Sequence, residues 1–384
     1  MLKDSILREI RRMTRYPVYL VMMIVVPIGC ALFFISLMHE GLPLKVPTAI
    51  VDLDHSSMSR QITRSLSAME LVEIADKEES YSKALAAVRR GDIFGFFVIP
   101  ENFEKDALGG RTPTLDYYTN MTFFVPGTLS FKGFKTMAVT TSGGVVKETL
   151  TSVGLSDGTI GALIQPVNIS NHPIGNPWLN YTYYLTPSFS FAALALIIML
   201  MTIFTITIEI KRGTSTDWIA TARGNIYGAL AGKLIPQSAV FCAVALAIDA
   251  ILFGFMHFPM NGSMAAIAIA TVLFVIATQS LGLLITCALP NPRLALSIAS
   301  LVGILTFSFA GFSFPVEKMY GAIGIFSYIV PVRYWFLIYI NQALNGFDVY
   351  YVRFCFAALL IFPLIGWVLA PRLRRACLKP VYVP

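Results

Sequence analysis

Six apolar runs, each long enough to cross a membrane, dominate the pattern of hydrophobic and polar positions in this chain. The runs lie at 16–38, 187–208, 228–255, 264–289, 294–314 and 351–370. A helix of about 20 apolar residues spans a hydrocarbon core about 30 Å thick. The second run carries no charged residue, and the third carries only Lys233 and Asp249. The pattern therefore predicts six transmembrane helices.

A longer segment of mixed polarity, residues 39–186, separates the first run from the second and predicts a folded domain. Its β-rich stretches are expected to form strands at 49–53, 71–75, 93–99 and 115–119. Helical spacing predicts helices at 56–67, 80–90, 101–108 and 124–153. A segment of this length suffices for a hydrophobic core. The expected fold class is thus a polytopic α-helical membrane protein, with six transmembrane helices and an inserted extracytoplasmic α+β domain.

Basic residues are concentrated in alternate segments, which predicts the orientation of the spans. Lys and Arg outnumber Asp and Glu in residues 1–15, in the loop 209–227 and in the tail 371–384, whereas the segments on the opposite side are slightly acidic. Because basic loops stay in the cytoplasm, both termini are predicted to lie there. The net charge of +7 then reflects topology and contact with anionic lipid, and does not indicate nucleic-acid binding.

Residues 1–15 predict an amphipathic helix that lies on the cytoplasmic leaflet. Leu2, Ile6 and Ile10 recur at i, i+4 and i+8, with basic residues between them. A disordered basic tail is the alternative interpretation of the same segment.

The composition excludes several classes of function. Hydrophobic residues make up 56% of the chain, and the segment 39–186 contains none of the five cysteines, so this segment is not a disulfide scaffold. The nearest approach to a phosphate-binding loop, residues 228–234, has the wrong spacing and lacks the hydroxyl that holds Mg²⁺. We expect no catalytic residue, no metal site and no cofactor in this chain.

The loop between the second and third runs carries the most informative motif. It consists of Glu209, Lys211, Arg212, Gly213 and Thr214, followed by the stretch 218–221. Further motifs lie at 50–52 with 59–61, at 99–103, at 232–236, and at 311–317 with 330–334. In this order and spacing they resemble the permease subunits of the type-2 ABC exporters, in the branch with a large extracellular domain after the first helix. The resemblance implies an outer re-entrant hairpin and loop at 315–350. The Thr-Pro that usually ends the family's loop is Thr221-Ala222 here.

The resemblance implies a bacterial inner-membrane permease that moves an amphipathic drug-like compound or lipid outward. Separate ABC ATPase subunits would hydrolyse ATP, and a second copy or a sibling permease would complete the transporter. A periplasmic adaptor and membrane lipids are further possible partners. Efflux of Na⁺ or another small ion is the alternative within the family. A secondary transporter would show inverted repeats, which this chain lacks, and an anchored receptor would need only one or two spans.

The same resemblance implies that the loop forms a coupling helix seated in a groove of the ATPase subunit. Trp218 and Ile219 are expected to anchor it there, within a charged rim. The expected contact residues are Glu209, Lys211, Arg212, Gly213, Thr214, Asp217, Trp218, Ile219 and Thr221. An ordinary basic loop with an interfacial tryptophan is the alternative.

Small residues mark the start of the third span. Gly224, Gly228 and Gly232 recur at i, i+4 and i+8 and are expected to share one helical face. Such a face permits another helix to approach closely. The partner helix could belong to the same subunit or to a second one.

Polar residues inside the spans or beside the outer hairpin are candidates for the substrate path or an outer gate, because burial of a polar side chain in lipid is costly. Asp249 and Gln279 lie within predicted spans. Glu317, Lys318 and Arg333 flank the predicted outer hairpin. A structural role is the alternative for Asp249, whose carboxylate could pair with Lys318 or Arg333.

Overall fold

The computed structural model describes residues 2–41, 44–164, 174–177, 180–312 and 314–378. Two compact units divide the chain: Met1–Gly41 with Pro173–Pro384, here called the membrane unit, and Leu42–His172, here called the inserted domain. Residues 165–173 of the predicted domain and residues 379–384 of the predicted tail lie outside the described residues.

The chain first forms two helices and then the inserted domain. These elements are α1 Leu2–Arg15, α2 Pro17–Leu37, β1 Val46–Asp52, α3 Ser57–Ser67, β2 Val72–Lys77, α4 Tyr81–Arg90, β3 Gly95–Ile99, α5 Phe103–Leu108, β4 Asp116–Thr119, α6 Phe124–Ser152 and α7 Asp157–Ile164. The remainder of the membrane unit follows. Its elements are α8 Tyr181–Lys211, α9 Ser215–Thr221, α10 Ile226–Phe255, α11 Met264–Ala288, α12 Pro292–Phe309, α13 Gly321–Ser327, α14 Pro331–Tyr339, α15 Arg353–Val368 and α16 Ala370–Leu378.

Six helices among the described residues are long and apolar enough to cross a membrane: α2, α8, α10, α11, α12, and α15 together with α16. The predicted fold class, a polytopic helical membrane protein, is confirmed. The second span begins at Tyr181, six residues before the predicted start at 187, because Asn180 caps the helix by accepting from the Thr182 N–H at 2.8 Å. Its end at Lys211 brings Glu209 into the last helical turn.

The inserted domain contains a four-stranded sheet in the order β2-β1-β3-β4. β1 is parallel to β2 and β3, and β4 is antiparallel to β3. Ile62, Phe97 and Phe134 belong to the hydrophobic cluster on one face, while Ala84 and Phe96 belong to the cluster on the other. Because successive strand residues point to opposite faces, the neighbours Phe96 and Phe97 supply one residue to each cluster.

The described residues after the predicted last span at 351–370 continue the helix as far as Leu378. The predicted tail 371–384 begins inside α16, where Leu373 and Cys377 are buried. Ser215 donates a hydrogen bond to the Cys377 carbonyl at 2.7 Å. α16 thus packs against the buried side of α9.

Candidate functional site

The short helix α9 connects α8 to α10 through two tight turns. Gly213 has a φ of +69°, and Arg223 and Gly224 have φ values of 55° and 82°, in the left-handed region. Asn225 then caps α10 by accepting from the Tyr227 N–H at 2.9 Å. Glycine adopts this conformation without a steric penalty, which explains two of the three positions.

The inner face of α9 is part of the hydrophobic core. Trp218 and Ile219 are only 1% and 2% exposed, and both belong to a cluster that includes Leu283 and Leu373. The Trp218 indole N–H donates to the Ala229 carbonyl at 3.3 Å. The expectation that Trp218 and Ile219 anchor the helix in a partner is therefore wrong for this structure, because both side chains are already packed inside the subunit.

The outer face of α9 carries different residues. Thr216, Asp217 and Ala220 are exposed, and Thr221 is partly exposed. Thr216 and Ala220 were not singled out from the sequence, although their i, i+4 spacing places them on one face. Of the other expected contact residues, Lys211, Arg212 and Gly213 are exposed and Thr214 is half-buried. The surface of α9 that a partner can contact therefore consists of small side chains with one charge, and it contains no aromatic residue.

Glu209, expected in the charged rim, is instead fully buried in an ion network. The Lys233 ammonium group donates to Glu209 Oε1 at 3.1 Å and to Glu9 Oε2 at 2.8 Å. Arg8 donates to Glu209 Oε2 at 3.1 Å, and Arg12 forms a further ion pair with the same carboxylate. Three cations thus surround two carboxylates that belong to helices far apart in sequence.

Neutral groups complete the network. Gln237 donates to Glu9 Oε1 at 2.8 Å, and Thr214 donates to Glu209 Oε2. The Lys233 ammonium group also lies 5.2 Å from the ring centroid of Trp218. The network therefore joins α1, α8 and α10 to Thr214, the residue before α9, and to the buried side of α9. Charged groups buried in this way are stable only when paired and hydrogen-bonded.

The helix α1 packs with its polar side inward. Ser5 and Glu9 are buried, whereas Leu2, Leu7 and Ile10 remain exposed. Of the predicted apolar positions, Leu2 and Ile10 are exposed and Ile6 is half-buried, and their contact with a lipid surface stays a prediction.

The three candidate packing glycines have different positions. Gly232 lies against α1, where an added Cβ would be 2.2 Å from Ser5 Oγ. Gly228 lies in the first turn of α10, and Gly224 precedes that helix in a left-handed turn. The prediction that all three share one helical face is wrong for Gly224, because the helix begins only at Ile226.

Asp249 lies in a separate buried cluster at the other end of α10. It is 5% exposed, and its Oδ2 accepts from the Thr271 hydroxyl at 2.7 Å. Trp335 donates to the same hydroxyl oxygen at 3.0 Å. Neither Lys318 nor Arg333 pairs with Asp249 in the described residues, so the expected ion pair is not formed.

The other candidate path residues do not join this cluster. Arg333 approaches Glu317 at 3.8 Å, while Lys318 is exposed. Gln279 accepts a hydrogen bond from Ser238. The structure therefore brings together only Glu317 and Arg333 from the predicted outer gate.

Comparison with known proteins agrees with this architecture. A family model described as ABC-2 family transporter protein matches residues 17–370. Neither the search of curated proteins nor the search of solved structures gives a match. The matched range covers the inserted domain, α9 and most of the last span, and begins just after α1.

Proposed function

Because this chain belongs to the ABC-2 family of transporter proteins, it is a transmembrane component of an ABC transporter, and we propose that it is the permease subunit of an ATP-driven exporter. The sequence contains no phosphate-binding loop. The proposed energy source is therefore a separate ABC ATPase subunit. The proposed substrate is an amphipathic drug-like compound or lipid that moves outward.

One observation carries the proposal: α9 is exposed on one side and fixed to the helix bundle on the other. Thr216, Asp217 and Ala220 are free to meet an ATPase subunit. Behind them, Trp218 is packed in the core and lies near Lys233 of the ion network. A close-packed interior transmits displacement instead of absorbing it.

The mechanism follows from these contacts. ATP binding closes the ATPase subunits and displaces α9. The displacement reaches α8 through the Thr214–Glu209 hydrogen bond and reaches α10 through Trp218 and its bond to Ala229. Because α8 and α10 both cross the membrane, a small movement at α9 changes their tilt and opens the path outward.

The proposed location is the bacterial inner membrane, with α9 and both termini in the cytoplasm. The basic residues beside α9, such as Lys211, Arg212 and Arg223, support this orientation. The inserted domain then lies on the extracytoplasmic side. A second copy or a sibling permease completes the transporter, and an adaptor can receive the substrate outside.

Co-purification with the ATPase subunit tests the proposal. We expect Thr216→Arg together with Ala220→Arg to abolish the complex and ATP-dependent export, because two long side chains then cover the outer face of α9. Arg89→Glu, an exposed change in the inserted domain, is the control and leaves both unchanged. A complex that survives the double substitution would exclude α9 as the coupling element.

A further inference from the structure

The inserted domain contains a cleft that the coupling mechanism does not use. It lies between α5, the segment before β4, and α6, and has a volume of about 430 Å³. Phe103, Leu115, Val145 and Leu150 contribute to its apolar lining. This volume and this composition fall within the range of small-molecule sites, which are mostly apolar with few polar groups.

One polar group in the lining is unsatisfied. Thr141 is 8% exposed, and its hydroxyl has no hydrogen-bond partner in the part of the chain that the structure describes. A buried hydroxyl without a partner is costly, so such groups are rare in native proteins. The Thr141 side chain also lines a second, smaller cleft of about 190 Å³ on the side of α3. A ligand in the cleft would supply the missing partner.

The rim of the cleft is polar. Arg111 lines the opening and pairs with Asp106 at 3.1 Å, and both residues reach solvent. Val146, an exposed apolar residue of α6, also lines the cleft. The cleft thus offers an apolar surface, one unpaired hydroxyl and a hydrated edge, which together match a molecule with both apolar and polar parts.

We propose that this cleft is a binding site for an amphiphile, whose apolar body covers Leu115, Val145 and Leu150 and whose hydrogen-bonding group meets Thr141. The assignment rests on the proposed function, since it names the same ligand class for the extracytoplasmic side. Single-chain lipids and drug-like amphiphiles share this chemistry. The inserted domain would then hold the exported compound after it leaves the spans.

Fluorescence titration of the full chain in lipid nanodiscs tests the site. The probe is a dansyl-labelled undecanoic acid, and empty nanodiscs provide the correction for binding to lipid. We expect saturable binding by the wild type and its loss in Ala138→Trp, which fills the cleft. Val139→Trp, one residue further on the same helix and 65% exposed, is the matched control and retains binding.

A second pair of variants tests the hydroxyl. Thr141→Val keeps the shape and should weaken probe binding about fivefold, as expected for the loss of one hydrogen bond. Thr141→Ser keeps the hydroxyl and should restore most of the affinity. Equal affinities of the Val and Ser variants would overturn the role of Thr141.

The same assay distinguishes the source of the ligand and separates this inference from the coupling mechanism. Displacement of the probe by a lysophospholipid supports a lipid occupant, and displacement by a compact aromatic amphiphile supports a drug-like one. Binding that is unaffected by Ala138→Trp would overturn the site. Because the titration uses no ATPase subunit, such a failure would leave the coupling role of α9 intact.

Discussion

The ammonium group of Lys233 lies 3.1 Å from the Glu209 carboxylate, and both side chains are almost completely buried. Their helices, α10 and α8, are the two that α9 connects. Replacing a buried ion pair by apolar residues often costs little, whereas removing one partner costs about 3–5 kcal/mol. The pair is therefore better understood as fixing how α8 and α10 fit together than as a large source of stability.

Lys233→Met should destabilise the membrane unit by about 3–5 kcal/mol, because Glu9 and Glu209 would lose a buried cation that both share. Thermal unfolding of the purified permease in nanodiscs is the measurement. Lys147→Met provides the control. Lys147 is exposed, and its ion pair with Asp157 is long, at 4.0 Å, so its loss should cost little. Adding Glu209→Gln to Lys233→Met should recover part of the lost stability. If the losses of the two single variants simply add in the double variant, Glu209 and Lys233 do not interact.

Trp218→Ala should lower stability by about 3–5 kcal/mol through loss of packing and formation of a cavity. Thr216→Arg, two residues earlier on the exposed face, should change stability by less than about 0.5 kcal/mol. Unfolding and ATPase co-purification are measured for both variants. Trp218→Ala then tests the packing of α9, and Thr216→Arg tests its proposed contact with the partner. If the Trp218→Ala protein keeps its stability but no longer binds the ATPase subunit, Trp218 contacts the partner and not the core.

Gly232→Ala should displace α1, because the new Cβ would lie 2.2 Å from Ser5 Oγ. We expect a loss of about 1–3 kcal/mol, typical of overpacking. Gly254→Ala, in the same span, meets no atom within 4 Å and serves as the control. Ser5→Gly added to Gly232→Ala should recover part of the lost unfolding temperature, because it removes the two closest clashing atoms. An unaltered temperature in Gly232→Ala alone would show that α1 packs elsewhere.

Asp249→Asn should be tolerated, because an amide oxygen can still accept from Thr271 and no ion pair is lost. Asp249→Leu should cost about 1–3 kcal/mol, since the Thr271 hydroxyl would be left without its acceptor. Unfolding temperature and ATP-dependent export are compared for the two variants. Full stability with lost export in Asp249→Asn would instead support a direct role of the carboxylate in transport.

Local patterns predicted the architecture well. The strands at 49–53 and 93–99 correspond to β1 and β3, and helical spacing at 80–90 corresponds to α4, which ends at Gly91 in the left-handed region. These elements depend on neighbouring residues and on short-range capping, which the sequence displays directly.

The ion network could not be predicted in the same way. Glu9 and Lys233 are 224 positions apart, and no local pattern distinguishes Glu9 from Asp4, the other acid of the basic segment 1–15. Lys233 offered a signal as one of two charges inside the apolar run 228–255, and Glu209 was noted only as part of the loop motif. An interfacial tryptophan and a buried one look the same in sequence, so the sequence could not show that Trp218 packs in a cluster built from several distant helices.

In the proposed transporter, the inward polar face of α1 would give the bilayer a mechanical part in the transport cycle. Arg8, Glu9 and Arg12 contact the network, while Leu2 and Leu7 on the same helix remain for acyl chains to cover. With α1 on the leaflet as proposed, lateral pressure in the lipid would act on the same charges that hold the two spans together. Thinner or more anionic lipid would shift the resting tilt of the bundle before any nucleotide is bound.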